Sequence, residues 1–306
     1  MTGTRLGGSA RAASAWPRRA RPATLIAAPA LLWLAAFFLV PLAFIVGVSF
    51  LTSGSFGELE RPFTIESYKR FLGFGSFGWE ALYPVIMVRS LALAAFTMML
   101  CLLLALPLAF FIAGLPARWK NFALTLVVIP LWTNLLVRTY AWQLLLAPGG
   151  WLAKLAAAMG FIPAGEALYA SMFAVCVGLV CDYLPFLVLP LYASVEKIDW
   201  TLAEVARDLG ASGWKVFRHA VLPQIRPGIA AGITLVFVPA TGQFVIPDLL
   251  GGAKTVLLGN VIQQQFGASR DWPFGSAIAT VAMLVVLLAL WLHARVAKRK
   301  GDMELL

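Results

Sequence analysis

The sequence predicts an all-α integral membrane protein with six transmembrane helices. Of its 306 residues, 61% are hydrophobic and only 12% are charged, whereas soluble domains carry about 25% charged residues. Six apolar runs match or exceed the roughly 20 residues that a helix needs to cross a bilayer. The net charge of +10 comes from basic residues at the ends of these runs, as membrane topology requires. A nucleic-acid-binding face is therefore not indicated.

The six runs set the predicted domain boundaries. They cover residues 23–51, 90–115, 121–146, 167–195, 228–247 and 273–293. The expected order is a basic tail (1–22), a first transmembrane helix (23–51), a loop (52–85), a core domain (86–293) and a second tail (294–306). The first run is longer than the apolar core of a signal peptide, about 7–15 residues, so we expect it to be retained.

Counts of Lys and Arg predict the orientation. The two tails and the loops after the second and fourth runs hold 16 of these residues, and the alternate loops hold 6. Because cytoplasmic loops carry the excess of positive charge, we expect both termini to be cytoplasmic and loop 52–85 to be periplasmic. The polar segment between the fourth and fifth runs, residues 196–227 and here called the interspan segment, would then be cytoplasmic.

Neither a metal site nor a cofactor is indicated. Cys101, Cys176 and Cys181 lie inside apolar runs without a CxxC spacing, and the two histidines stand alone. Gly251–Thr255 lacks the Gly-Lys-Ser/Thr core of a phosphate-binding loop. We therefore expect no metal, no cofactor and no catalytic residue in this chain.

The interspan segment contains Glu204–Pro223, EVARDLGASGWKVFRHAVLP, a polar and amphipathic stretch between two apolar runs. Its pattern predicts a short helix ending near Leu209, a bend over Gly210–Gly213 and a second short helix over Lys215–Val221. We expect Leu222-Pro223 to break the second helix, because the residue before a proline avoids the helical region.

These two short helices could dock onto a protein partner or rest on lipid as an interfacial helix. The side chains expected to be available for contact are Leu209, Trp214, Val216 and Phe217. Four acidic residues in the same segment would repel anionic headgroups, which favours the protein partner.

The same stretch resembles the "EAA…G…I-LP" loop of ABC importer permeases. Glu204-Val-Ala206, Gly210 and Ala220-Val-Leu222-Pro223 match its spacing, although Val205 replaces the usual alanine and Ala220 the usual isoleucine. The resemblance implies the type I ABC importer permease fold, with the interspan segment coupled to an ATPase. The coupling residues that it implies are Glu204, Ala206, Asp208, Gly210, Ala211, Trp214, Leu222 and Pro223.

Four further stretches are similar to permeases of spermidine/putrescine importers. They are PLWTNLLVRTYAWQLLL (130–146), YLPFLVLPLYASVEKID (183–199), GQFVIPDLLGG (242–252) and RDWPFGSA (270–277). This resemblance implies a second homologous permease, a dimer of ATP-binding cassette ATPase subunits and a periplasmic or lipid-anchored substrate-binding protein. ATP hydrolysis would then lie on the ATPase and not on this chain.

Asp182 is the only acidic residue inside an apolar run. It lies about 14 residues into the fourth run, which at about 1.5 Å per residue places it about 21 Å down, past the midplane. Charged groups in spans are costly and usually functional, and a carboxylate would offset the lost hydration of a polyamine. A structural ion pair is the other interpretation.

Other polar and aromatic residues complete the expected solute pathway. They are Tyr140 and Gln143 in the third run, Tyr183 in the fourth and Gln243 in the fifth. Aromatic faces attract cations, although an interfacial aromatic belt explains Tyr140 equally well. The related permeases usually carry glutamate at the position of Gln243, so another small organic solute, such as an amino-acid derivative, stays open. Arg89 and Arg138 are expected to snorkel and receive no transport role.

Two other classes compete with the permease interpretation. An ion-coupled secondary transporter would need several buried ionisable groups and internal repeats, and an intramembrane enzyme would need paired catalytic residues within spans. A single buried acid without an obvious repeat favours neither class.

Overall fold

The computed structural model describes residues 20–54, 59–61, 63–75, 78–163, 165–252 and 255–302, and residues 1–19 and 303–306 of the predicted tails lie outside this part. The helices are α1 (Ala20–Val48), α2 (Glu66–Phe71), α3 (Leu82–Gly114), α4 (Ala117–Trp132), α5 (Leu135–Leu146), α6 (Trp151–Ala158), α7 (Met172–Val195), α8 (Trp200–Asp208), α9 (Gly213–Val216), α10 (Leu222–Gly242), α11 (Val245–Gly251), α12 (Leu258–Phe266) and α13 (Trp272–Asp302). The strands β1 (Thr52–Ser53) with β2 (Leu59–Glu60) and β3 (Phe74–Gly75) with β4 (Gly78–Trp79) form two antiparallel pairs.

The number of spans agrees with the prediction. Within the described residues, five helices are long and apolar enough to cross a membrane, and the bent helical pair that contains α4 and α5 makes a sixth if it counts as one span. The fold class, an all-α membrane protein with six spans, is therefore confirmed.

Two compact units divide the chain, residues 1–47 and 48–306. The described part of the first unit is α1 without its last residue, and it contains Pro29 and Pro41. Membrane helices tolerate such prolines because neighbouring groups can satisfy the freed carbonyls.

The second unit is built around α3, α7 and α10, which pack against one another and hold most of its buried side chains. Small residues allow helices to approach closely where lipid provides no hydrophobic driving force for packing. On α3 the fully buried small residues are Cys101, Ala105 and Ala109. A β-carbon added at Gly228 of α10 would stand only 2.6 Å from the carbonyl oxygen of Pro190 in α7, so this contact requires glycine.

The third predicted run is not one continuous helix. The helix α4 ends at Trp132, the chain becomes helical again at Leu135, and the two directions differ by 97°. Pro130 cannot donate a backbone hydrogen bond, and Asn134 caps the new helix by accepting from the amide of Leu136 at 2.8 Å. Residues 133–134 are here called the first break.

The fifth run also differs from the prediction. The helix α10 ends at Gly242, Gln243 has an extended backbone, and α11 begins at Val245. Residues 243–244 are here called the second break. Gln243, which was expected inside the fifth span, therefore lies at the end of its helix.

Two ion pairs show which loops share an end of the second unit. Arg70 of α2 pairs with Asp271 at 2.8 Å, which joins the loop 52–85 to the segment before α13. Lys120 at the start of α4 lies 3.5 Å from Glu196 at the end of α7. The loops after the second and fourth runs therefore lie at one end, as the charge pattern requires.

Candidate functional site

The interspan segment begins with a capped helix. The side chain of Asp199 accepts hydrogen bonds from the backbone amide of Thr201 at 3.0 Å and from its hydroxyl at 2.6 Å. These two bonds lower the pKa of the Asp199 carboxyl below its usual range, because they favour the charged form. The carboxylate therefore caps α8 at neutral pH.

A Schellman motif ends α8 at Gly210. The amide of Gly210 donates to the carbonyl of Arg207 at 2.8 Å, and the amide of Ala211 donates to the carbonyl of Ala206 at 3.0 Å. Gly210 has φ +81, a backbone conformation that favours glycine. The predicted bend at this glycine agrees with this geometry.

The predicted end of the second helix at Leu222-Pro223 is wrong. Residues Gly213–Gly242 form one helical stretch, in which Phe217–Val221 is a π-helical turn directly before α10. A proline inside a helix removes a donor and clashes with the carbonyl four residues back. The wider π-helical turn gives the ring of Pro223 room at the first turn of α10, so the chain continues as a helix.

Gln224 joins the two ends of the interspan segment, a role that the sequence did not indicate. Its side-chain oxygen accepts from the amide of Asp199 at 2.8 Å, and its nitrogen donates to the carbonyl of Ala220 at 2.7 Å. The start of α8 is thereby held next to the start of α10. The polar residue after Pro223 was the only local signal.

The exposed side chains of this segment differ in part from those predicted. Leu209 and Trp214 are 83% and 68% exposed, and Glu204 and Asp208 are exposed as well. Val216 is buried and Phe217 is half-buried against the core, so the expectation that these two side chains are free for contact is wrong. Phe217 faces inward, where the centre of its ring lies 6.4 Å from that of Phe110 in α3.

Three other predicted coupling residues lie beneath this surface and pack against the core. They are Ala206, Ala211 and Leu222, which are half-buried against the same core. Their small or apolar side chains seat the segment on the second unit. The structure therefore brings the predicted coupling residues together in one place, with acidic and apolar groups outward.

Asp182 lies near the middle of its helix. It is the eleventh residue of the 24-residue α7, about 15 Å from the helix start at about 1.5 Å per residue. The helix begins at Met172, five residues later than the apolar run, so Asp182 lies nearer the start of its helix than the run suggested.

Arg138 is the partner of Asp182. Its guanidinium contacts Oδ1 of Asp182 and donates to the carbonyl of Pro130 at 2.6 Å, and the two side chains are 17% and 10% exposed. The expectation that Arg138 snorkels without a further role is therefore wrong. The N-cap at Asn134 turns α5 toward α7, which brings Arg138 to the carboxylate.

Tyr183 and Gln243 meet at the second break. The side-chain nitrogen of Gln243 donates to the hydroxyl of Tyr183 at 3.2 Å. The side-chain oxygen of Gln243 accepts from the amides of Phe244 at 3.0 Å and Val245 at 3.2 Å. Gln243 thus satisfies amides that the break would otherwise leave without helical partners.

The two predicted pathway residues on α5 are less buried than Asp182 and Tyr183. Tyr140 is 51% exposed, and Gln143 is half-buried on the same helix. Both lie on a helix that packs against α7 and α11. Within the described residues, no group of three or more His, Cys, Asp or Glu could hold a metal ion.

Residues 102–302 match the family of binding-protein-dependent transport system inner membrane components. This match covers more than half of the chain, so the chain belongs to that family. It is accordingly a multi-pass permease subunit of an ABC importer in the inner membrane.

Two relatives and one solved structure agree with this assignment. The chain is 40% identical over 275 residues to the spermidine/putrescine transport system permease protein PotB of Escherichia coli (strain K12), covering 89% of this chain and 98% of the relative. It is 38% identical to PotB of Haemophilus influenzae (strain ATCC 51907 / DSM 11121 / KW20 / Rd), covering 89% and 94%. A bacterial ABC transporter involved in the import of the acidic polysaccharide alginate superposes with a TM-score of 0.69 at 15% identity, covering 91% of this chain and 95% of that one. This last similarity supports the fold alone.

Proposed function

We propose that this chain forms part of the pathway of an ATP-driven importer for spermidine, putrescine or a similar polyamine. The observation that carries the proposal is the 40% identity to a spermidine/putrescine permease over 98% of its length. ATP hydrolysis belongs to a separate dimer of ATPase subunits. A second homologous permease and a periplasmic or lipid-anchored binding protein complete the transporter.

The interspan segment is the proposed docking site for the ATPase. Leu209 and Trp214 offer two largely exposed apolar side chains, and Glu204 and Asp208 add acidic groups beside them. The Schellman motif at Gly210 and the contacts of Gln224 hold this surface in a fixed shape. A surface of fixed shape can pass a conformational change of the ATPase on to α7 and α10, whereas a mobile loop would absorb it.

The proposed solute pathway uses Asp182, Tyr183 and Gln243, with Tyr140 and Gln143 nearer one end. Tyr183 offers an aromatic face and a hydroxyl, and Asp182 offers a carboxylate whose Oδ1 is already in contact with Arg138. A polyamine ammonium group would therefore approach the other carboxylate oxygen. Gln243 in place of glutamate lowers the negative charge of the pathway.

The proposed orientation places both termini and the interspan segment in the cytoplasm. The excess of basic residues at these positions supports it. The Lys120–Glu196 pair supports the same arrangement, because it joins two loops that the charge pattern assigns to one side.

Reconstitution of the complete transporter tests the proposal. Liposomes that contain this chain, its partner permease and the ATPase, with the binding protein outside, should import labelled putrescine only when ATP is inside. An excess of an amino-acid derivative should compete poorly. Uptake by this chain alone under a proton or sodium gradient would instead support a secondary transporter.

A further inference from the structure

Two adjacent residues of α7 contact side chains at or just after the two helix breaks. Asp182 contacts Arg138, which follows the first break, and Tyr183 accepts a hydrogen bond from Gln243 in the second break. Successive residues of an α-helix point about 100° apart, so the two side chains reach different neighbours. The middle of α7 is therefore the place where contacts from both breaks meet on one helix.

At the first break, Arg138 holds two groups at once. Its guanidinium donates to the carbonyl of Pro130 at 2.6 Å while it contacts Asp182. The hydroxyl of Thr133 donates to the same carbonyl at 2.7 Å. The position of α5 relative to α4 therefore depends on a side chain that is itself fixed by α7.

At the second break, Gln243 has the corresponding role. Its oxygen accepts from the amide of Phe244 in the break and from that of Val245, the first residue of α11, and its nitrogen donates to Tyr183. The helices beyond the two breaks, α5 and α11, also pack against each other. A change at one break can therefore reach the other through α7 or through this direct contact.

We propose that the Arg138–Asp182 pair and the Gln243–Tyr183 bond form one brace that makes the two breaks change shape together. Arg138, Asp182, Tyr183 and Gln243 are positioning residues in this role, because they orient the half-helices α5 and α11 through α7. When the pathway beside α5 and α11 opens, the Arg138–Asp182 pair and the Gln243–Tyr183 bond must rearrange in one step. This role does not depend on which solute is carried.

Hydrogen–deuterium exchange of the full-length chain in lipid nanodiscs tests the brace. Asp182→Asn should raise exchange in the fragment 134–140 and also in the fragment 243–250. Tyr183→Phe, which keeps the ring, should raise exchange in both fragments as well. Coupling between sites is reciprocal and typically amounts to about 5-fold or more, so we expect a rise of about 5-fold at the distant break.

A matched variant and a rescue make the test decisive. Tyr83→Phe removes a hydroxyl from a tyrosine whose ring packs against Phe274 at 4.8 Å, and it should change neither fragment. Arg138→Gln combined with Asp182→Asn replaces the ion pair by a neutral hydrogen-bonding pair, and it should restore protection at the second break. Exchange that rises only at the mutated break, in both Asp182→Asn and Tyr183→Phe, would overturn the proposal.

Discussion

The interspan segment and the two breaks both rely on polar contacts at helix ends, but these contacts act over different distances along the chain. Asp199 caps Thr201 two residues away, and the Schellman bonds reach back at most five residues. The bond between Asp199 and Gln224 spans 25 residues within the interspan segment, whereas Gln243 and Tyr183 are 60 residues apart. The side-chain cap of α8 and the Asp199–Gln224 bond are exposed to water, whereas the Arg138–Asp182 pair is mostly buried. Water can replace a lost exposed contact, but a buried group that loses its partner stays unsatisfied.

This difference predicts that the largest loss of stability follows a change at the buried pair. Arg138→Met leaves the carboxylate of Asp182 without its partner, which typically costs about 3–5 kcal/mol. The melting temperature of the purified chain should fall strongly. The double variant Arg138→Met/Asp182→Leu removes both charges and should recover much of the loss. A single variant as stable as the wild type would show that the pair contributes little.

A smaller loss is expected where α10 packs on α7. Gly228→Val places a side chain against the carbonyl of Pro190, and overpacking of this kind costs about 1–3 kcal/mol. Thermal unfolding in detergent measures it. Gly114→Val is the control, because an added β-carbon there meets nothing within 4 Å. Equal effects of the two variants would contradict the close approach of α7 and α10.

In the interspan segment, Gly210→Val should act through the backbone alone. An added β-carbon at Gly210 meets nothing within 4 Å, but the residue has φ +81, and a branched residue there is strained by about 1–3 kcal/mol. Exchange of the amides in 206–212 should rise while the melting temperature of the spans stays close to wild type. Gly213→Val, at an equally open position without a positive φ, should leave the exchange of these amides unchanged.

The smallest effect is expected at the cap of α8. The lowered pKa of Asp199 means that its carboxylate stabilises α8 above the usual range of the group, and that this contribution is lost as the pH falls through the lowered pKa. At neutral pH, Asp199→Ala should raise exchange at Thr201, whereas Asp199→Asn should keep the cap because asparagine is an equally good acceptor. A rise of the same size in both variants would mean that the acceptor does not protect this amide.

The same difference explains what the sequence could predict. Gly210 and the short helix before it were predictable because their signals lie within a few residues. The interruption after Pro130 was only partly predictable, since the cap at Asn134 became evident from the structure. The continuous helix through Pro223 was not predicted, because a π-helical turn has no distinct local signal.

The contacts of the candidate pathway were less predictable. Asp182 was a candidate because a lone acid in an apolar run is unusual. Its partner could not be predicted, because that partner lies on another helix. Arg138 looked like an interfacial arginine from its place near the end of a run. Only the turn at the first break brings it to α7, and no local pattern encodes that meeting.

We propose that the interspan segment docks a separate ATPase. The most direct test is the amount of ATPase that co-purifies with Leu209→Ser/Trp214→Ser, normalised to the amount of chain in the membrane. The control is Trp132→Ser, which changes a tryptophan that is 86% exposed at the end of α4. We expect the double variant to insert normally and to lose most of its ATPase, while the control keeps it. Wild-type amounts of ATPase on both variants would contradict the claim.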